Sequence, residues 1–231
     1  MKKIKTVFKM DYDLGKITKN INQEASWLFD NDAENFVIPT VKIDGTSTMV
    51  KDGVLYKRYD MKPRKISFKE KNRRLNSGEP KFSWNDFKAI PENSITCQDS
   101  FDEVTGHFPI WVPVNDSIND SKYHIEAFNL KDSWSDGTYE LIGKKVGLNK
   151  YGLENHKLVK HGSIKADLKA PFTLENIYTW LMNNNEEGLV FYNTKTGDYA
   201  KVRRSDFAID QSYSFNWKDA KLDEFYKLNE I

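Results

Sequence analysis

Alternating and clustered apolar positions divide the chain into short strands with a few helices between them. Phe36 to Ile43 is a β-prone run that stops at Asp44-Gly45. Thr46–Val50 and Val54–Tyr59 then flank Lys51-Asp52-Gly53, which predicts a β-hairpin. Further strands are predicted at Ser94–Gln98, Ile110–Val114, Thr138–Ile142 and Leu158–Val159. Gly188–Tyr192 and Tyr199–Arg203 form a second hairpin across Thr196-Gly197-Asp198. Helical spacing is fullest after Thr173, a natural N-cap, with Leu174, Ile177, Tyr178 and Leu181 on one face and Asn183–Asn185 as the stop. Ile17, Ile21, Ala25 and Leu28 predict a helix over Ile17–Phe29, behind a short strand in Lys5–Tyr12. Tyr123–Leu130 reads as a further helix, and Trp217–Leu228 as a closing one. Strands in the middle with helices between and at the ends make an α+β class.

Lys62 to Lys81 breaks the pattern. Lys62, Arg64, Lys65, Lys69, Lys71, Arg73, Arg74 and Lys81 are opposed only by Glu70 and Glu79, among Pro, Ser and Gly. It reads as a long basic loop, either a solvated surface or a contact for phosphates, with Lys71, Arg73 and Arg74 the candidates for RNA. Over the whole chain, 35 Lys and Arg against 34 Asp and Glu leave +1, so local charge is more informative than net charge.

Size and composition narrow the class further. The 231 residues suit a single domain, with its core at about 36–207 and the closing helix behind it. Cys97 is the only cysteine, which excludes an internal disulfide framework and a multi-cysteine zinc site, and fits a reducing compartment. No apolar run approaches the roughly 18 residues of a membrane span, and the start Met-Lys-Lys-Ile-Lys lacks the apolar core of a signal peptide. A soluble cytoplasmic protein without a membrane partner is expected.

Candidate chemistry begins at Lys42-Ile43-Asp44-Gly45, a lysine at a strand end beside a turn. Chance supplies such a tetrad in roughly one chain of this size in twenty. Later elements add to it. Glu140 lies inside the apolar run Thr138–Ile142, where a carboxylate needs a partner or a cleft. Glu186-Glu187 opens the run Gly188–Tyr192, a natural place for a hard cation. Lys201 and Arg203, two apart, fall on one face of a strand.

In this order the elements resemble the covalent nucleotidyltransferase superfamily of DNA ligases, RNA ligases and mRNA-capping guanylyltransferases. Lys42–Gly45 matches its nucleophile motif, Glu140, Glu187-Gly188 and Lys201–Arg203 match later motifs, and Arg58 matches an arginine that follows the nucleophile. Thr105–Val114, Gly137–Gly143, Asn149–Leu153 and His156–Gly162 are similar to the single-domain 5′-to-3′ RNA ligase family of vertebrates and some phages. The likeness runs from about Phe36 to Phe207. One departure is Arg203, where many ligases have a second lysine.

The resemblance implies a nucleotidyltransferase (ligase adenylation) domain and an ATP-dependent RNA ligase. Lys42 would attack ATP to form a lysyl–AMP adduct, with ATP and Mg²⁺ or Mn²⁺ as cofactors. The partner would be RNA with 5′-phosphate and 3′-hydroxyl ends, handled by a monomer. Lys201 and Arg203 would serve catalysis and, with Val41, Gly45, Arg58 and Glu140, hold the nucleotide. Glu187 is the first candidate for the metal and Glu186 the second, since strand alternation favours one of the two. A free lysine is almost wholly protonated at neutral pH, with about one in 2,500 neutral, so nearby positive charge suits the nucleophile.

Capping guanylyltransferases and small DNA ligases share the lysine chemistry but usually append an OB-fold. About 24 residues follow Phe207, too few for one. An inactive RNA-binding module is the further alternative. His156 and His161 are expected to make structural hydrogen bonds.

Overall fold

The structure, a computed structural model, describes residues 4–11, 16–103, 105–115 and 121–207. The chain divides into two compact units, one holding Ser47–Tyr139 and the other Ile4–Thr46 with the chain from Glu140 onward. Strands β1 (Lys5–Thr6), β2 (Phe8–Asp11), β3 (Lys16–Ile21) and β4 (Val37–Lys42) open the second unit. Next come β5 (Thr46–Lys51), β6 (Val54–Met61), α1 (Phe68–Asn76), β7 (Ile95–Thr96), β8 (Phe108–Pro113) and α2 (Lys122–Phe128). Strands β9 (Gly137–Ile142) and β10 (Lys157–Lys160), helix α3 (Leu174–Asn183), and strands β11 (Gly188–Asn193) and β12 (Tyr199–Arg203) complete the series. It is a mixed α and β structure, in keeping with the expected α+β class, and its strand pairs are mostly antiparallel.

In the second unit a four-stranded sheet runs β1-β12-β11-β4. Only β1 and β12 are parallel there. Leu189 lies opposite Val41 and Val202, and Phe191 opposite Pro39 and Ala200. Paired residues of an antiparallel ladder share a face, so Val41, Leu189, Phe191, Ala200 and Val202 form one apolar side, and all are buried. Helix α3 adds Ile177, Trp180 and Leu181 to the same core. Its start follows the expected chemistry, with Thr173 Oγ1 accepting from the Asn176 N–H at 3.1 Å. Leu181 is fully buried, and truncation to alanine would cost about 2–5 kcal/mol.

The helix expected over Ile17–Phe29 is instead β3 followed by a 3₁₀ helix, Gln23–Phe29. Phe8 pairs with Ile21 across β2 and β3, and Asn22 breaks the run by capping the 3₁₀ turn through the Glu24 N–H. Long-range pairing outweighs a helical spacing set by only a few apolar residues.

In the first unit the strands run β5-β6-β8-β7. The β5–β6 turn has Asp52 and Gly53 both at positive φ, 51° and 74°, as a two-residue hairpin turn requires. Trp84, Phe87, Phe101 and Phe108 pack edge-on and stacked, with centroids 4.9–5.6 Å apart. The expected basic loop is helix α1 over its central part. Ser67 caps it through the Glu70 N–H at 3.2 Å, and Glu70 pairs with both Arg73 and Arg74. The helix expected at Trp217–Leu228 lies outside the described residues. Among those residues no helix is long and apolar enough to cross a membrane.

Candidate functional site

The polar face of the second unit's sheet carries most of the chemistry. Gly188 lies opposite Lys42 on one side and Arg203 on the other, and Val190 opposite Thr40 and Lys201. Lys42, Lys201 and Arg203 therefore share one face, opposite to the core residues Val41, Leu189 and Val202. Register alone brings together a lysine and two cations about 160 residues apart in sequence.

Two glycines allow the close approach. A Cβ on Gly188 would lie 2.1 Å from the Val202 carbonyl oxygen. One on Gly45, just after the Lys42 strand, would lie 2.2 Å from that of Leu141. Neither position admits a side chain without moving backbone.

Lys42 Nζ donates to Glu187 Oε2 at 2.5 Å, and about a fifth of each side chain is exposed. Glu187 is held in turn by its backbone, whose carbonyl accepts from the Arg204 N–H at 2.9 Å. The buried Arg204 guanidinium donates to the carbonyls of Leu181 and Asn184, at the C-terminal end of α3, where helix carbonyls lack partners within the helix. Glu186, beside Glu187, is buried. Glu140 is also buried, and His161 Nε2 lies 2.8 Å from its Oε2. Structural hydrogen bonding by His161 is thus borne out.

Three residues that sequence patterning passes over complete the surroundings. Tyr151 Oη accepts from the Asp44 N–H at 2.5 Å, and Lys150 forms an ion pair with the Asp44 carboxylate. The turn after the lysine is therefore braced from the segment Lys150-Tyr151. Burial pushes the Tyr151 phenol well above its ordinary range, and the charges of Glu187, Glu140 and Glu186 push it further. One phenol thus feels all three carboxylates. Asp206, buried, accepts from the Arg203 backbone N–H at 2.8 Å and from its guanidinium at 2.8 and 3.0 Å. The Arg-x-x-Asp spacing was the one sequence signal for this brace.

The surroundings of Val41 and Arg58 are as follows in the structure. Val41 uses its N–H on the Ile164 carbonyl at 2.9 Å, which leaves that donor out of any contact with a base. Arg58 lies on β6 of the first unit, its guanidinium 5.3 Å from the Trp111 ring centroid and bonded to Asp60 at 3.3 Å. Of the nominated RNA contacts, Arg73 is taken by Glu70 and Glu79, and Arg74 by Glu70 and Asp86. Lys71 and Arg73 are exposed and Arg74 half-buried, and Lys71 has no ion-pair partner among the described residues.

Among the described residues no three His, Cys, Asp or Glu side chains gather as a preformed metal cage. Mg²⁺ does not require one, since it binds through one or two carboxylates together with waters and substrate phosphates. Glu187, which already takes a cation in the form of the Lys42 ammonium, and the adjacent Glu186 fit that need. When bound there, a divalent ion would neutralise the carboxylate that holds the lysine and offset phosphate charge.

The comparisons with known proteins point to RNA ligation. The family model described as RNA ligase 1 matches residues 16–133, half of the chain, and takes in Lys42, Gly45 and Arg58. The chain belongs to the RNA ligase 1 family. A search of curated proteins found no match. The matched stretch stops short of Glu140, Glu187, Lys201 and Arg203.

Proposed function

We propose that the chain is an ATP-dependent RNA ligase that joins 5′-phosphate and 3′-hydroxyl ends through a lysyl–AMP adduct on Lys42. The observation that carries this most is Lys42 at 2.5 Å from Glu187, on the sheet face shared with Lys201 and Arg203. Family membership supplies RNA ligase activity in general.

In the first step the Lys42 amine attacks the α-phosphorus of ATP, forming the N–P bond and releasing pyrophosphate. The ammonium held by Glu187 must first pass its proton to water and leave the ion pair, because only the free amine is a nucleophile. Lys201 and Arg203 face the same space and offset the charge on the phosphate oxygens. Arg203 presents its guanidinium in an orientation set by Asp206. In the second step an RNA 5′-phosphate oxygen takes the adenylyl group and frees Lys42. In the third, the RNA 3′-hydroxyl attacks that phosphate and AMP leaves. Glu140, oriented by His161, suits a ribose hydroxyl.

The test is to incubate the protein with α-labelled ATP and a divalent metal and isolate an acid-labile protein adduct. Lys42→Ala should abolish it, a loss of roughly 10⁴-fold or more. Labelling by GTP and not ATP would favour a capping enzyme, and no labelling at all would favour an RNA-binding module without chemistry.

A further inference from the structure

Helix α1 presents different chemistry on its two sides. At about 100° per residue, Glu70, Arg73 and Arg74 fall on one side and Phe68, Lys71, Asn72 and Leu75 on the other. The first side holds the helix to its own unit. Arg74 donates to Asp86 at 2.7 and 2.9 Å, while Arg73 spans Glu70 and Glu79. The second side faces water. No residue of α1 is buried, and Phe68 and Leu75 are 79% and 78% exposed.

The lysines on and around that side, Lys71 on it, Lys69 at its edge and Lys65 just before the helix, are uncompensated. Glu70 and Glu79 are the only acids between Lys62 and Lys81, and both are engaged by arginines. Lys65, Lys69 and Lys71 have no ion-pair partner among the described residues. Lys71 lies between Phe68 and Leu75 on the exposed stripe, three residues from one and four from the other. A protein partner covering this stripe would bury that lysine, and interface centres are depleted in lysine. A strand of nucleic acid has the complementary chemistry, since its bases stack on aromatic rings and its phosphates accept lysines.

We propose that this face of α1 docks single-stranded RNA, with Phe68 stacking on a base, Lys71 on the face neutralising a phosphate, and Lys69 at its edge and Lys65 ahead of the helix neutralising the neighbouring ones. Leu75 supplies apolar contact beside the stacked base. This rests on the ligase reading only in taking the polyanion to be RNA.

The test uses the whole chain and a fluorescent single-stranded RNA oligonucleotide, without ATP, titrated by anisotropy across about 50–200 mM salt. Replacing Lys65, Lys69 and Lys71 together by glutamine should weaken binding roughly tenfold or more and flatten the salt slope by about two. Phe68→Ala should weaken it roughly fivefold or more and leave the slope unchanged. Replacing the three lysines by arginine should restore the slope, which separates lost charge from lost fold. Wild-type affinity and slope in both the glutamine variant and Phe68→Ala would overturn the proposal. So would a wild-type chain that sediments as a dimer and becomes a monomer on Phe68→Ala with RNA affinity intact, since the face would then join protein to protein. Because no ATP is present, lost RNA affinity in a chain that never labels on Lys42 would sink the ligase mechanism and leave this surface standing.

Discussion

Two regions of the molecule are rich in positive charge and use it differently. On the second unit's sheet, Lys42, Lys201 and Arg203 are placed by strand register, and acids with little exposure hold Lys42 and Arg203. On α1 of the first unit, the arginines pair with the exposed Glu79, the half-buried Glu70 and one buried acid, Asp86, while the lysines stay open. Charge held in register against low-exposure carboxylates acts at fixed positions, which is what bond making needs. Charge on an exposed helix acts through number and salt-sensitive attraction, which suits holding a flexible polyanion.

The sharpest way to break this contrast is to neutralise the acid that holds Lys42. Glu187→Gln keeps the shape and removes the charge that pairs with the ammonium and suits a divalent ion. Adduct formation from labelled ATP should slow by roughly 10²-fold or more. An unchanged initial rate would show that the pair at 2.5 Å is incidental to the chemistry.

Tyr151→Phe tests how far positioning matters. The Asp44 N–H loses its acceptor, at a cost of about 1–2 kcal/mol, and the turn behind Lys42 loosens. The adduct should form about tenfold more slowly, with Lys42 still labelled. The wild-type rate should show no tyrosine ionisation up to about pH 10, since burial and the charges of Glu187, Glu140 and Glu186 keep the phenol protonated there.

Tyr151 also marks where the sequence stops being legible. Strand β4, the β5–β6 hairpin, β11, β12 and α3 were readable because alternation, turn residues at Asp52-Gly53 and the Thr173 cap act within a few residues. The ordered acids and cations of the candidate site were readable for the same reason, together with a family likeness. Tyr151, Lys150 and Asp206 were not, because each acts on a neighbour that only the folded chain supplies. Helix α1 was missed for a different reason. It has almost no apolar face, and its signals are the Ser67 cap and the Glu70 pairs with Arg73 and Arg74, which a search for hydrophobic periodicity passes over.

On the α1 side the largest expected effect comes from Asp86, the one low-exposure acid there. Arg74 hydrogen bonds, helped by the Ser83 N–H, lower its carboxyl to about 2. In the unfolded chain an aspartate takes its proton near about pH 4. Between those values the unfolded state binds more protons, so the stability from this pair is present above about pH 4 and is lost as pH falls toward about 2. Asp86→Asn should lower stability by about 1 kcal/mol at neutral pH, allowing for solvent screening, and flatten that acid limb in urea melts.

Glu79→Gln should do the least. Glu79 is exposed, and hydrogen bonds from Arg73 and Ser77 hold its carboxyl below the usual carboxylate range. When that carboxylate goes, Arg73 keeps both its Nε and Nη2 bonds to Glu70, at 2.9 Å each, so the helix keeps its other brace. Surface pairs of this kind trade solvent contact for a geometry that salt already screens. The urea midpoint should be unchanged at neutral pH. RNA binding should tighten slightly at low salt, because one negative charge has left a basic surface. A large drop in stability instead would mean that the arginine side of α1 is held as firmly as the Lys42 site, and the contrast between the two regions would fail.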